Sequence, residues 1–119
     1  MPRRKPEIEI RPRIRVLRGD DILLGPGKAE LLAAIDRTGS IRQAASELGM
    51  SYMRAWTLVK TMNEGFKEPL VESARGGAGR GGAHLTKAGY TVLEIYREMQ
   101  RKSLDAVDSL ARKLKKMAR

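Results

Sequence analysis

The chain has 119 residues, with 24 Lys and Arg against 14 Asp and Glu for a formal charge of +10, which is enough for one modest core and suits a polyanionic partner. The absence of Cys and the single His exclude disulfides and thiolate metal sites, and a zinc site would need several carboxylate partners. No apolar run approaches membrane-spanning length, and the N-terminus MPRRKPEIEI lacks the apolar centre of a secretory signal, so neither membrane insertion nor a cofactor is expected and the default compartment is the cytoplasm.

Residues 1–9 carry Pro2, Pro6 and four charges within Arg3–Glu7, and read as a flexible basic arm. The stretch Arg13–Arg18 roughly alternates apolar with basic residues, which predicts a short strand with one basic face, and Gly19-Asp20-Asp21 is turn chemistry. Gly25-Pro26-Gly27 opens a helix, with Pro26 in the first turn where its missing N–H is tolerated. Leu31, Leu32, Ile35 and Leu24 are assigned to the apolar face of that helix, and Gly39 to its left-handed C-cap. Ser40 caps a second helix over Ile41–Leu48, closed by Gly49, and Ser51 caps a third that reaches about Phe66. Small or apolar side chains at Ala44, Ala45, Leu48, Met50, Ala55, Leu58, Val59 and Met62 let the two helices cross closely over a common seam.

After Glu68-Pro69 the pattern changes to a strand over Leu70–Arg75, a glycine-rich loop and a returning strand at Ala83–Leu85: a β-hairpin with a long tip. Thr86 caps a last helix of about thirty residues, whose positions Leu93, Tyr96, Gln100, Val107, Leu110, Leu114 and Met117 mostly follow 3–4 spacing. A small domain cannot bury so long a stripe, so a partner helix is expected along it and the chain is read as a homodimer. The fold class is therefore mostly α with a small β-hairpin: a winged helix-turn-helix over residues 10–90, continued by a dimerisation helix over 91–119.

That order of elements points to double-stranded DNA. An α-helix fits the major groove, and residues in its first turns reach base edges. The open face of the third helix offers Tyr52, Arg54, Thr57, Lys60 and Thr61, with Arg54 suited to guanine and Lys60 to phosphate. Ser51 and the N–H groups near it suit phosphate, and Ser40, Arg42 and Gln43 at the start of the second helix are added to the same surface. The hairpin Arg75–Lys87 carries three cations and no acid, so Arg75, Arg80 and Lys87 are assigned to the backbone or the minor groove.

The run from Gly39 to Asn63, with its Ser51-Tyr52-x-x-Ala55-Trp56 and Met62-Asn63 elements, resembles the N-terminal domain of ModE-type molybdate-responsive regulators. Leu70-Val71-Glu72, the glycine-rich wing and Leu85-Thr86-Lys87-Ala88-Gly89 belong to the same likeness, while the Ala44-Ala45 and Leu85-Thr86-x-x-Gly89 elements are shared with the wider LysR-type group. The resemblance covers about residues 15–105 and implies a homodimeric winged-helix transcription factor in a bacterium. ModE regulators also carry a C-terminal molybdate-binding region, which would begin near Arg119, so ligand sensing does not follow from these residues.

Other signals fall short. Gly25-Pro26-Gly27-Lys28 lacks the Gly at position 22 and the Ser or Thr at position 29 of a phosphate loop. Arg75-Gly-Gly and Arg80-Gly-Gly resemble RNA-binding repeats, but the wing accounts for them. Asp20-Asp21 has no accompanying nucleophile or base, so no enzyme is expected; His84 is placed on a wing strand with a phosphate contact open to it, and Trp56 is placed in packing. Two rival readings stay open: a non-specific architectural binder, and a regulator that takes its signal from a separate effector-binding partner through the long helix.

Overall fold

The computed structural model describes residues 4–73 and 82–119. Strands β1 (Val16–Arg18) and β2 (Asp21–Leu24) form an antiparallel hairpin across the turn at Gly19-Asp20. Helices α1 (Pro26–Thr38), α2 (Ile41–Leu48) and α3 (Tyr52–Gly65) follow, then the hairpin β3 (Val71–Ser73) and β4 (Ala83–Leu85), then helix α4 (Lys87–Met117).

The first hairpin corrects the sequence reading, which expected only its first strand. Leu24, assigned above to the helix face, is the buried last residue of β2. A four-residue strand with three consecutive apolar residues carries no clear period, so it reads equally well as a lead-in to α1. Upstream, Ile10, Pro12, Ile14 and Val16 are half-buried while Arg11, Arg13 and Arg15 are exposed. This period-two pattern shows an extended run laid on the body with its arginines outward.

The core is aliphatic and centred on α1, whose Leu31, Leu32, Ala34 and Ile35 are all fully buried. Ala44 and Ala45 of α2 and Ala55, Val59 and Met62 of α3 close on it, as the small-residue seam predicts. Leu58, also expected in that seam, is only half-buried. The caps fall where the sequence places them. The Ser40, Ser51 and Thr86 side chains accept from the N–H groups of Gln43, Arg54 and Gly89. Gly39 and Gly49 end α1 and α2 in the left-handed region, and the 68° φ of Gly49 makes the tight turn into α3.

In the second hairpin Val71, Glu72 and Ser73 pair with Leu85, His84 and Ala83. Its root is tied to the helices through the Ala83 N–H, which donates to the Gly39 carbonyl at 2.9 Å, and through a bridge between Ser40 and Gly82. The expected tip, with Arg75 and Arg80, lies outside the described residues. At the start of α4 the backbone of Gly89 passes so close to the loop before β3 that a Cβ there would stand 2.1 Å from the Leu70 carbonyl oxygen. Only glycine fits this crossing.

Helix α4 also corrects two assignments. Leu93 and Tyr96, expected against a partner, belong to the chain's own core, Tyr96 at 1% exposure with its hydroxyl donating to the Ile14 carbonyl at 2.7 Å. Their 3–4 spacing is real, but the first three turns of the helix lie over α1 and the extended run, which take up that part of the stripe. Gln100 is half-buried, whereas Leu110, Leu114 and Met117 stand 64%, 62% and 83% exposed. Among the described residues no helix is long and apolar enough to cross a membrane.

Candidate nucleic-acid interface

At 100° per residue, Ala55, Val59 and Met62 define the buried side of α3, and Met53, Thr57, Lys60 and Glu64 point directly away from it. Tyr52 and Trp56 flank this outward stripe on one side, and Arg54 and Thr61 on the other, all exposed. This is the surface that the sequence assigns to Tyr52, Arg54, Thr57, Lys60 and Thr61, and the structure brings them together on one helix.

The local bonding of these groups differs from residue to residue. The hydroxyl oxygens of Ser40 and Ser51 already accept from the Gln43 and Arg54 N–H groups, at 3.1 and 3.0 Å. Their own O–H groups remain the donors available to an outside acceptor. Thr57 donates to the Met53 carbonyl one turn back, at 2.9 Å, so it meets a partner through its methyl group or a lone pair. Arg42 of α2 stacks over the Tyr52 ring at 4.5 Å, which ties the exposed starts of the two helices together. Lys60 sits 5.8 Å from the centre of the Trp56 ring.

Trp56 was expected in packing, and the structure corrects this: it is 44% exposed. Its position one residue after the buried Ala55 turns it 100° off the seam, onto the flank shared with Tyr52. Met53, which the sequence reading left unassigned, is 65% exposed beside it. Three large apolar side chains at the outer end of a short capped helix are costly to leave in water.

Asn63 is the other residue missed. Its side-chain oxygen accepts from the N–H groups of Leu70 and Val71 at 2.8 and 3.1 Å, and its amide donates to the Val71 carbonyl at 3.0 Å. One side chain thus fastens the last turn of α3 to the root of the second hairpin. The distinctive Met62-Asn63 pair was the available signal: an Asn in the last turn of a helix, seven residues before a strand, is placed to serve that strand's first backbone groups.

On the hairpin, His84 faces Glu72 across the strand pair, with its Nε2 3.5 Å from the carboxylate. That carboxylate is its cross-strand neighbour, and both side chains are exposed. Lys87 is exposed in the first turn of α4, next to the positive end of the helix dipole, where a cation gains nothing from its own helix.

Two helices crossing at a glycine turn, the second open along one side and braced by a β-hairpin, define a winged helix-turn-helix. The profile of the bacterial regulatory helix-turn-helix proteins, lysR family, matches residues 27–90, more than half of the chain, and the protein belongs to that family. It is 43% identical over 90 residues to the transcriptional regulator ModE of Yersinia pestis, covering 71% of this chain and 34% of that protein. It is 39% identical over 85 residues to the DNA-binding transcriptional dual regulator ModE of Escherichia coli K12, covering 69% and 32%. Over 73 residues it is 48% identical to the molybdenum-pterin-binding protein MopB of Rhodobacter capsulatus, covering 61% and 27%. The chain thus spans about a third of the length of these relatives or less. Among solved structures, the CbnR_DBD–DNA complex superposes with a TM-score of 0.59 at 19% identity, covering 74% of this chain and 95% of that one, a likeness of fold.

Proposed function

We propose that the protein is a sequence-specific, double-stranded-DNA-binding transcriptional regulator that acts in the cytoplasm as a homodimer. The observation that carries this reading is the outward stripe of α3: a capped helix whose side chains at 53, 56, 57 and 60 are all exposed. Helix α3 enters the major groove, with Arg54 set for a guanine edge, Lys60 for phosphate, and Met53 and Trp56 for thymine methyl groups. Ser40, Arg42, Gln43 and Ser51 hold the backbone at the groove's rim, and the wing, with Arg75, Arg80 and Lys87, follows the backbone or narrow minor groove beside it. The relatives named as transcriptional regulators support this, and the family is regulatory rather than enzymatic.

The exposed row Val107, Leu110, Leu114 and Met117 on the second half of α4 supports the dimer, because heptad-spaced apolar side chains are satisfied by a like helix. A separate effector-binding partner could engage the same helix, and pull-down with the intact chain separates it from self-association.

In vitro selection from a random duplex pool tests the reading. Enrichment of a two-fold symmetric site, with half-sites one helical turn or a multiple apart and bound at least a thousandfold tighter than scrambled duplex, is the expected result. The charge of +10 favours the architectural alternative, for which selected and scrambled duplexes bind equally with a steep salt dependence.

A further inference from the structure

The family match begins at residue 27, yet a structured segment of four exposed arginines lies before it. Resting on the DNA-binding reading above, we infer that the extended run and the β1–β2 hairpin form a second basic flank of the interface, gripping the DNA backbone on the side of α3 opposite the wing.

The placement follows from the turns of α3. Asn63, on one side of the helix, holds the root of the β3–β4 wing. Arg54, Leu58, Thr61 and Gly65 recur at 3–4 spacing on the reverse side. There they share a concavity of about 770 Å³ with Arg13, Arg15 and Arg18. The outward stripe of Met53, Thr57 and Lys60 lies between the two, so a duplex laid on that stripe is flanked by the wing on one side and the arginines on the other. The hairpin is held there by packing: Leu23 of β2 lies so close to Gly65 that a Cβ at that position would meet its Cδ2 at 2.9 Å.

The arginines are held in place and still free to bind. Partial burial of Ile10, Pro12, Ile14 and Val16, and the bond from Tyr96 to the Ile14 carbonyl, fix the run. That leaves Arg13 and Arg15 outward and about 7 Å apart along the extended chain. Arg18 spends one N–H on the Gly65 carbonyl at 3.4 Å and keeps its other donors. The acids on this wall are Asp20 and Asp21 at the hairpin turn and Glu64 at the far end of α3. The Lys28 ammonium lines the same concavity and donates to the Ile22 carbonyl. With Arg54 given to a base edge, Arg13, Arg15, Arg18 and Lys28 stand against Asp20, Asp21 and Glu64, an excess of positive charge that suits phosphates and carries no base preference.

The test is salt titration of the full chain with its selected duplex and with random-sequence duplex. The triple variant R13Q/R15Q/R18Q is expected to bind both duplexes roughly tenfold or more weakly at physiological salt, with their affinity ratio unchanged. The slope of log affinity against log salt should fall by up to about 2.7, about 0.9 for each lost phosphate contact. Each single Gln variant should lower the slope by about 0.9, which keeps the test decisive if the triple variant does not fold, and R13K/R15K/R18K should keep the wild-type slope. Unchanged affinity and slope in the single and triple variants overturn the inference while leaving the recognition helix in place. Loss confined to the selected duplex overturns it too, by showing base readout instead. Failure of the wild-type chain to bind either duplex overturns both readings.

Discussion

The two halves of α4 obey one heptad spacing and live in two environments. From Lys87 to Tyr96 the helix is part of the domain: Gly89 touches the Leu70 backbone, and Leu93 and Tyr96 are buried against the chain's own core. From Leu104 to Met117 the same spacing carries apolar side chains that stay 39% to 83% exposed among the described residues. Periodicity therefore identifies which face of a helix seeks cover. It does not identify whether the cover is the helix's own domain or a second molecule.

The sharpest way to break this contrast is at its buried end. Gly89→Ala drives a methyl group into the Leu70 carbonyl, and overpacking of that kind costs about 3 kcal/mol or more, so thermal denaturation should show a large loss of stability. At the exposed end, L110D with L114D should leave the melting of a monomer unchanged while sedimentation shows the loss of the proposed dimer. Equal damage to both would erase the distinction between the halves.

A smaller effect is expected at the border. Tyr96→Phe removes the hydrogen bond to Ile14 and should cost about 1 kcal/mol near neutral pH. Burial raises the Tyr96 phenol above its ordinary value of 10.0, with Arg13 and Arg15 pulling it back. Ionisation is thus harder in the folded chain than in the unfolded one. The stability tied to the neutral phenol is complete below pH 10 and is lost as the pH climbs through the raised folded value. In alkaline denaturation Y96F should therefore show a flatter decline above pH 10 than the wild type. The smallest change in melting temperature is expected for Tyr90→Phe, which removes an exposed bond to Asp36.

Much of the fold could be read from the residues, because the devices that set it are local. Ser40, Ser51 and Thr86 as N-caps, glycines 39 and 49 as C-caps and the Ala44-Ala45 crossing each act within one turn of chain, and each is found in the structure. The failures were matters of tertiary context. Strand β2 is recognisable only through its pairing with β1, since Ile22-Leu23-Leu24 carries no period. Trp56 reads as core by its size, yet the neighbouring Ala55 occupies the seam. Leu93 and Tyr96 were placed on the correct stripe but against the wrong neighbour. The outer face of α3 was legible because it is what remains once the seam is assigned. Asn63 was not, because its partners are backbone groups seven and eight residues away.

If α3 and the wing meet DNA as proposed, Asn63 has a consequence for how an operator is measured. Because its one amide carries three hydrogen bonds from the last turn of α3 to the strand root, the helix and that root behave as fixed jaws of a single gauge rather than as parts on a hinge. The distance between the bases read by α3 and the backbone met by the wing is then set before any DNA arrives. A site stretched by one base pair between those two contacts would have to be bent to fit, since the protein has no slack to give at that joint.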